Sequence, residues 1–194
     1  MDSQTDLTEV KRSTSSSDFD NNLASALPVL FEEGKWQVRS MDIRPGKAEA
    51  LWAVVSKFKT LFSDMSLNSY GTFVQAITDT DSVWYEICEG DQLAALIFLQ
   101  GMSKLVDIEV HILALDRMPA EKAPVVKQLI RYVFKTYPML HRMTTQPLTI
   151  YYAAIRLAKR VGFVEEGVKR EAVLVHSKWA DQAILGLLRR QGEG

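Results

Sequence analysis

Tyr151-Tyr-Ala-Ala-Ile-Arg-Leu-Ala-Lys-Arg-Val-Gly-Phe-Val-Glu-Glu-Gly-Val-Lys-Arg-Glu171 is the stretch on which the fold turns. It reads as a short amphipathic helix over Ala153 to Val161, a glycine stop at Gly162, an immediate strand, and a turn into a further strand. Gly162 suits the position just past a helix end, with Phe163 as its apolar partner. Arg156, Lys159 and Arg160 fall in the last turns of that helix, where cations meet the negative end of the dipole. Downstream, the spacing predicts strands over Phe163 to Val175 and Ala183 to Arg190. His176 and Trp179 lie in the loop between them, and Asp181 caps that turn.

Working upstream, Arg142 to Thr145 reads as a strand and His141 as an exposed side chain. Before it lies a strong helix, Ala120 to Tyr137. Val125, Val126, Leu129, Ile130, Val133 and Phe134 form an apolar stripe opposite Lys127, Gln128, Arg131 and Lys135. Earlier come three strand candidates, Val83 to Cys88, Gln92 to Leu99 and Leu105 to Leu115. Turns at Glu89-Gly-Asp91 and Gly101-Met-Ser-Lys104 join them into an antiparallel meander. Ahead of these are an alternating strand, Trp36 to Ile43, a turn at Arg44-Pro-Gly-Lys47, a helix carrying Ala48, Leu51, Trp52, Val55 and Phe58, and a second helix over Tyr70 to Ile77.

Residues 1 to 33 differ from the rest. A Ser/Thr run from Ser13 to Ser17 and a polar stretch from Asp18 to Asn22 predict a flexible polar arm, leaving 34–194 as one domain. Leu23, Leu27, Val29, Leu30 and Phe31 give that arm an apolar handle through which it would dock on a protein partner. With 194 residues, 47% of them hydrophobic, the chain suits one packed domain that needs no staple. A net charge of −1 gives no general attraction to nucleic acid or to acidic membranes. One cysteine, Cys88, and three histidines make neither a disulfide nor a metal pattern, and Cys88 reads as a buried thiol. The polar, acidic first residues are not a secretory signal, and no apolar run approaches a membrane span, so the expected location is cytoplasmic.

The order strand, two helices, three strands, helix, strand, helix, two strands, together with Gly162-Phe163, Glu166-Gly167, Arg170 and a late Asp181, resembles the GCN5-related N-acetyltransferases, the GNAT family. The resemblance covers about 36–190. It implies an α/β (α+β) fold with a mixed, mostly antiparallel sheet of six or seven strands flanked by about four helices. It also implies transfer of an acetyl group from acetyl-coenzyme A to a primary amine of a protein or small molecule.

Two constellations bear on that chemistry. Side chains alternate along a strand, so Asp107, Glu109 and His111 share one face of Leu105 to Leu115, about 6.6–6.8 Å apart per two-residue step. An amine must lose its proton before it attacks a thioester. By the resemblance Glu109 is the proton acceptor, with His111 second; a solvated polar face is the plain alternative. The cofactor loop of the family corresponds to Arg117-Met-Pro-Ala-Glu-Lys-Ala123, where Arg117 matches the first position. Ala120 and Lys122 stand where the family has glycines that let a diphosphate approach the main chain. Pro119 and Pro124 lack N–H donors, and Glu121 adds a negative charge. The resemblance assigns Arg117, Ala120, Lys122 and Ala123 to the diphosphate, and main-chain groups of Leu113 and Leu115 to the pantetheine arm. Tyr151 replaces an asparagine of the family's cofactor site, and Ala158 replaces a tyrosine that many members use as general acid. Two functions therefore stand open: an amine acetyltransferase, or the same fold without catalysis, serving as a structural or interaction component of a larger assembly such as a virus particle.

Overall fold

The computed structural model describes residues 27–44, 46–57, 69–115, 122–175 and 177–192. Eight strands and five helices follow one another as β1 (Val29–Glu33), β2 (Trp36–Ser40), α1 (Lys47–Val55), α2 (Tyr70–Thr78), β3 (Ser82–Glu89), β4 (Gln92–Gln100), β5 (Asp107–Ala114), α3 (Ala123–Thr136), β6 (Arg142–Thr145), α4 (Tyr152–Val161), β7 (Val164–Val175), β8 (Lys178–Leu188) and α5 (Arg189–Gly192). They build one sheet in the order β1-β2-β3-β4-β5-β6-β8-β7. Every pairing is antiparallel except β5 with β6.

The sheet is larger than the six or seven strands expected because of β1. Val29–Glu33 were read with the polar arm, yet they form a hairpin with β2, and Phe31 packs 5.8 Å from the Tyr132 ring of α3. The rest of the arm, 1–26, lies outside the described residues, as do Phe58 of the first helical stripe and His176.

Alternation along the strands splits the core in two. On one face Val38, Tyr85, Ile87, Ile97, Leu99, Ile108, Val110, Met143, Leu185 and Leu187 meet the apolar stripes of α3 and α4. On the other, Trp84, Leu96, Leu113 and Leu115 meet Leu51 and Val55 of α1 and Phe73 and Ile77 of α2. The second face also buries charge. Lys47, in the first turn of α1, forms an ion pair with Glu86 of β3, which is fully buried. Arg39 of β2 stands directly opposite Glu86 in the ladder.

Helix α4 ends as expected: Gly162 adopts a positive φ of 120°, and the Gly162 and Phe163 amides both donate to the Ala158 carbonyl. Asp181 does not cap a turn. It lies within β8, opposite a bulge in β7, and its carboxylate accepts the Glu171 N–H at 2.7 Å where that residue turns to φ 50°. The short-range turn reading missed this because the partner is ten residues back, set by strand register.

Candidate functional site

The two parallel strands at the centre part from each other. β5 and β6 pair at Asp107↔Arg142, Ile108↔Met143 and Glu109↔Thr144; β5 then runs on to Ala114 while β6 ends at Thr145. Beyond that point the β6 chain stays with β8. Pro147 O accepts the Ala183 N–H at 2.9 Å, Thr149 N donates to Asp181 O at 2.9 Å, and Leu148 bridges Gln182. Among the described residues, the β5 edge from Val110 to Ala114 therefore has no strand on its β6 side. On that side the main chains of Val110, Ile112 and Ala114, turned away from β4 by the ladder register, face no described strand, and buried N–H and C=O groups require partners.

Glu109 sits at the fork. Its residue makes the last β5–β6 pairing and lies opposite Gln100 on β4. His111 is the next residue on the same face, its Nε2 3.7 Å from Glu109 Oε1. The imidazole stacks on Phe98 at 4.3 Å and 8°, and Phe98 stacks on Trp84 at 4.3 Å and 15°. Three rings in register across β3, β4 and β5 thus fix the His111 plane. Both Glu109 and His111 side chains are about one-third exposed, 32% each. A polar cluster adjoins them. Thr144 Oγ1 donates to Asp107 Oδ1 at 3.1 Å, Arg142 Nε donates to Thr144 Oγ1 at 3.2 Å, and Arg142 Nη1 donates to Glu166 Oε1 at 2.8 Å. Arg142 Nη2 bonds the other Glu166 oxygen, which makes the pair bidentate. That contact holds the Glu166 carboxyl below its ordinary range and raises the guanidinium.

The remaining predicted residues divide. Leu113 and Leu115 are buried in the smaller core, and their main chains face β4. The Leu115 N–H donates to Ala94 O, and Leu113, two residues back in the same ladder, stands opposite Leu96. Neither presents its main chain to the fork as the resemblance implied. Arg117 and Ala120 lie outside the described residues. Lys122 opens α3 but is fully buried, its Nζ 4.8 Å from the Trp36 ring centroid. Its cation is thus directed at an indole under β2. Ala123 begins the helix, with Pro124 behind it supplying no N–H. Tyr151 caps α4: its N–H donates to Leu148 O and its carbonyl accepts from Ala154 and Ile155. Ala158 packs into the larger core.

Sequence reasoning brought together Asp107, Glu109 and His111. It missed Phe98, Trp84, Thr144 and Arg142, because their proximity depends on strand register.

No protein-family model matches the chain, and no curated protein matches it. Solved structures do. A spermidine N-acetyltransferase from Vibrio cholerae, in complex with CoA and spermine, superposes with a TM-score of 0.65 at 16% identity, covering 82% of this chain and 99% of that one. A chimera of the Vibrio cholerae enzyme and hSSAT gives 0.67 at 16% identity, covering 82% and 98%. A ribosomal-protein-S5-alanine acetyltransferase from Vibrio fischeri gives 0.62 at 12% identity, covering 84% and 98%. The fold is that of the GNAT acetyltransferases. At such identities the likeness is one of fold. No described helix is long and apolar enough to cross a membrane.

Proposed function

We propose that this protein transfers an acetyl group from acetyl-coenzyme A to a primary amine by direct attack. The observation that carries the reading is the fork itself: a stretch of open β5 main chain adjoining a carboxylate, Glu109, and an imidazole, His111. Acetyl-coenzyme A supplies the activated acetyl thioester when bound, and its amide-bearing arm matches an open strand edge chemically. The β5 amides and carbonyls on the fork side, those of Val110, Ile112 and Ala114, bind and orient that arm. The buried Leu113 side chain stiffens this edge. Glu109 Oε accepts the proton lost by the acceptor ammonium, directly or through water, and His111 holds the second acceptor position beside it. The amine nitrogen forms the new bond to the acyl carbon as the carbon–sulfur bond breaks, and the nitrogen's surplus proton passes to the departing sulfur, so the coenzyme leaves as its thiol.

Asp107 and Glu109 on one strand face favour a cationic acceptor. The neighbours' action on spermidine fits this, and a polyamine is the first acceptor to test. One geometric fact favours the non-catalytic alternative, a retained fold used as an interaction module: Lys122 is turned to Trp36 and buried. Calorimetric titration with acetyl-coenzyme A separates the two. Cofactor at 100 times its Kd stabilises a fold by about 2.7 kcal/mol, and no shift in melting at millimolar cofactor overturns the enzyme reading.

A further inference from the structure

β7 ends the sheet, and among the described residues no strand lies along its outer edge. A twelve-residue edge with open N–H and C=O groups is a template for pairing with another chain. Its first half reads Glu165-Glu166-Gly167-Val168-Lys169-Arg170, two acids and two bases arranged about an exposed valine.

The local geometry makes that arrangement meaningful. Against β8, Glu165 pairs with Leu185 and Gly167 with Ile184, so Glu166 is one extra residue. Glu166 lies beside Gly186, on the sheet face opposite Leu185. The bulge changes the parity of the strand. In an unbroken strand Glu165 and Arg170 fall on opposite faces; here the extra residue brings them to the same one. A two-fold axis through Val168, perpendicular to the sheet, then sets Val168 against the same residue of a second copy. It sets Lys169 against Glu166-Gly167 and Arg170 against Glu165, each contact occurring twice. Val168 is 48% exposed, in keeping with a residue placed on such an axis. Glu165 now meets Lys159 in an exposed pair at 2.6 Å, which is worth little and readily exchanged.

We infer that the β7 edge is a self-association surface on which two copies of this chain pair antiparallel about Val168, joining their sheets. The chain then turns at Glu171, φ 50°, inside the second bulge, which limits the pairing to the stretch that ends at Arg170. The dimer is accordingly weak, and salt-sensitive because its ion pairs are exposed.

Sedimentation velocity on the full chain over a range of concentration tests this. Expected is a monomer–dimer equilibrium that shifts to monomer in high salt. Glu165→Lys and Arg170→Glu each place like charges opposite one another and weaken the dimer roughly tenfold. An equimolar mixture of the two variants restores it, since both cross-contacts are then of opposite sign. Independently, Val168→Cys oxidises to a covalent dimer, because directly paired residues lie within disulfide reach. A wild-type monomer at every concentration overturns the inference. So does a dimer indifferent to both charge reversals, or a Val168→Cys protein that does not cross-link.

Discussion

Glu166 holds Arg142 by both terminal (Nη) nitrogens of its guanidinium, and the pair lies directly over Gly186. Three strands meet there: β7 gives the acid, β6 the base, and β8 the gap between them. A Cβ on Gly186 would stand 2.6 Å from Arg142 Nη2 and 2.8 Å from Glu166 Cδ. Gly186→Ala is therefore expected to push these two flexible side-chain ends aside and open the clamp at a cost below about 1 kcal/mol, measured by chemical denaturation. A loss of several kcal/mol would mean that the two side chains cannot move away from β8.

The same pair carries a pH signature. The Arg142 hydrogen bond holds the folded Glu166 pKa below its unfolded value. The clamp's contribution is thus present above the ordinary carboxylate range and lost as pH falls through the depressed value. Glu166→Gln should lower stability slightly at neutral pH, by the small contribution an exposed pair makes, and flatten the acid limb of the stability–pH curve by the same amount, the two proteins converging in acid. Equal acid limbs for both proteins would contradict this.

Glu86 poses the opposite case, a buried charge paired with Lys47 beneath α1. Removing one member strands the other in an apolar setting. Glu86→Ala is expected to cost about 3–5 kcal/mol, whereas replacing both, with Lys47→Met and Glu86→Leu, should cost far less. A double-mutant cycle of denaturation midpoints reads the difference.

Cys88 shares that face, and burial raises its thiol pKa to about 11. The folded value exceeds the unfolded one, so the contribution to stability is full below the unfolded thiol pKa and declines as pH rises through the folded value. At pH 8 a disulfide reagent should label native protein far more slowly than denatured protein. Comparable rates would place the thiol at the surface.

For the proposed reaction, Glu109→Gln should lower kcat by about 10²–10⁴-fold with acetyl-coenzyme A affinity unchanged. Lys122→Met should leave that affinity within about twofold, because the ammonium is buried against Trp36. Loss of affinity in the Lys122 variant would show that the lysine swings out to the cofactor.

Much of the fold was legible because its signals are local. Gly162-Phe163 stops α4 through its own backbone, and the stripe from Val125 to Phe134 marks α3 whatever lies beneath it. β1 was not legible: five residues after a polar tract carry weak alternation, and only the β2 ladder and Tyr132 make them a strand. Of the site, the Asp107-Glu109-His111 row followed from a period of two. The ring stack of Trp84, Phe98 and His111 did not, since it requires three strands to come into register.

Continuing the parallel register past Glu109↔Thr144 would bring Pro147 opposite Ile112. Its carbonyl is instead spent on Ala183 and the Thr149 amide on Asp181, so past Thr145 this chain stays with β8 and leaves β5. The two strands thus resemble a zip-fastener held apart by a third tape: it cannot run closed on itself, and whatever enters must bring its own hydrogen-bonding edge.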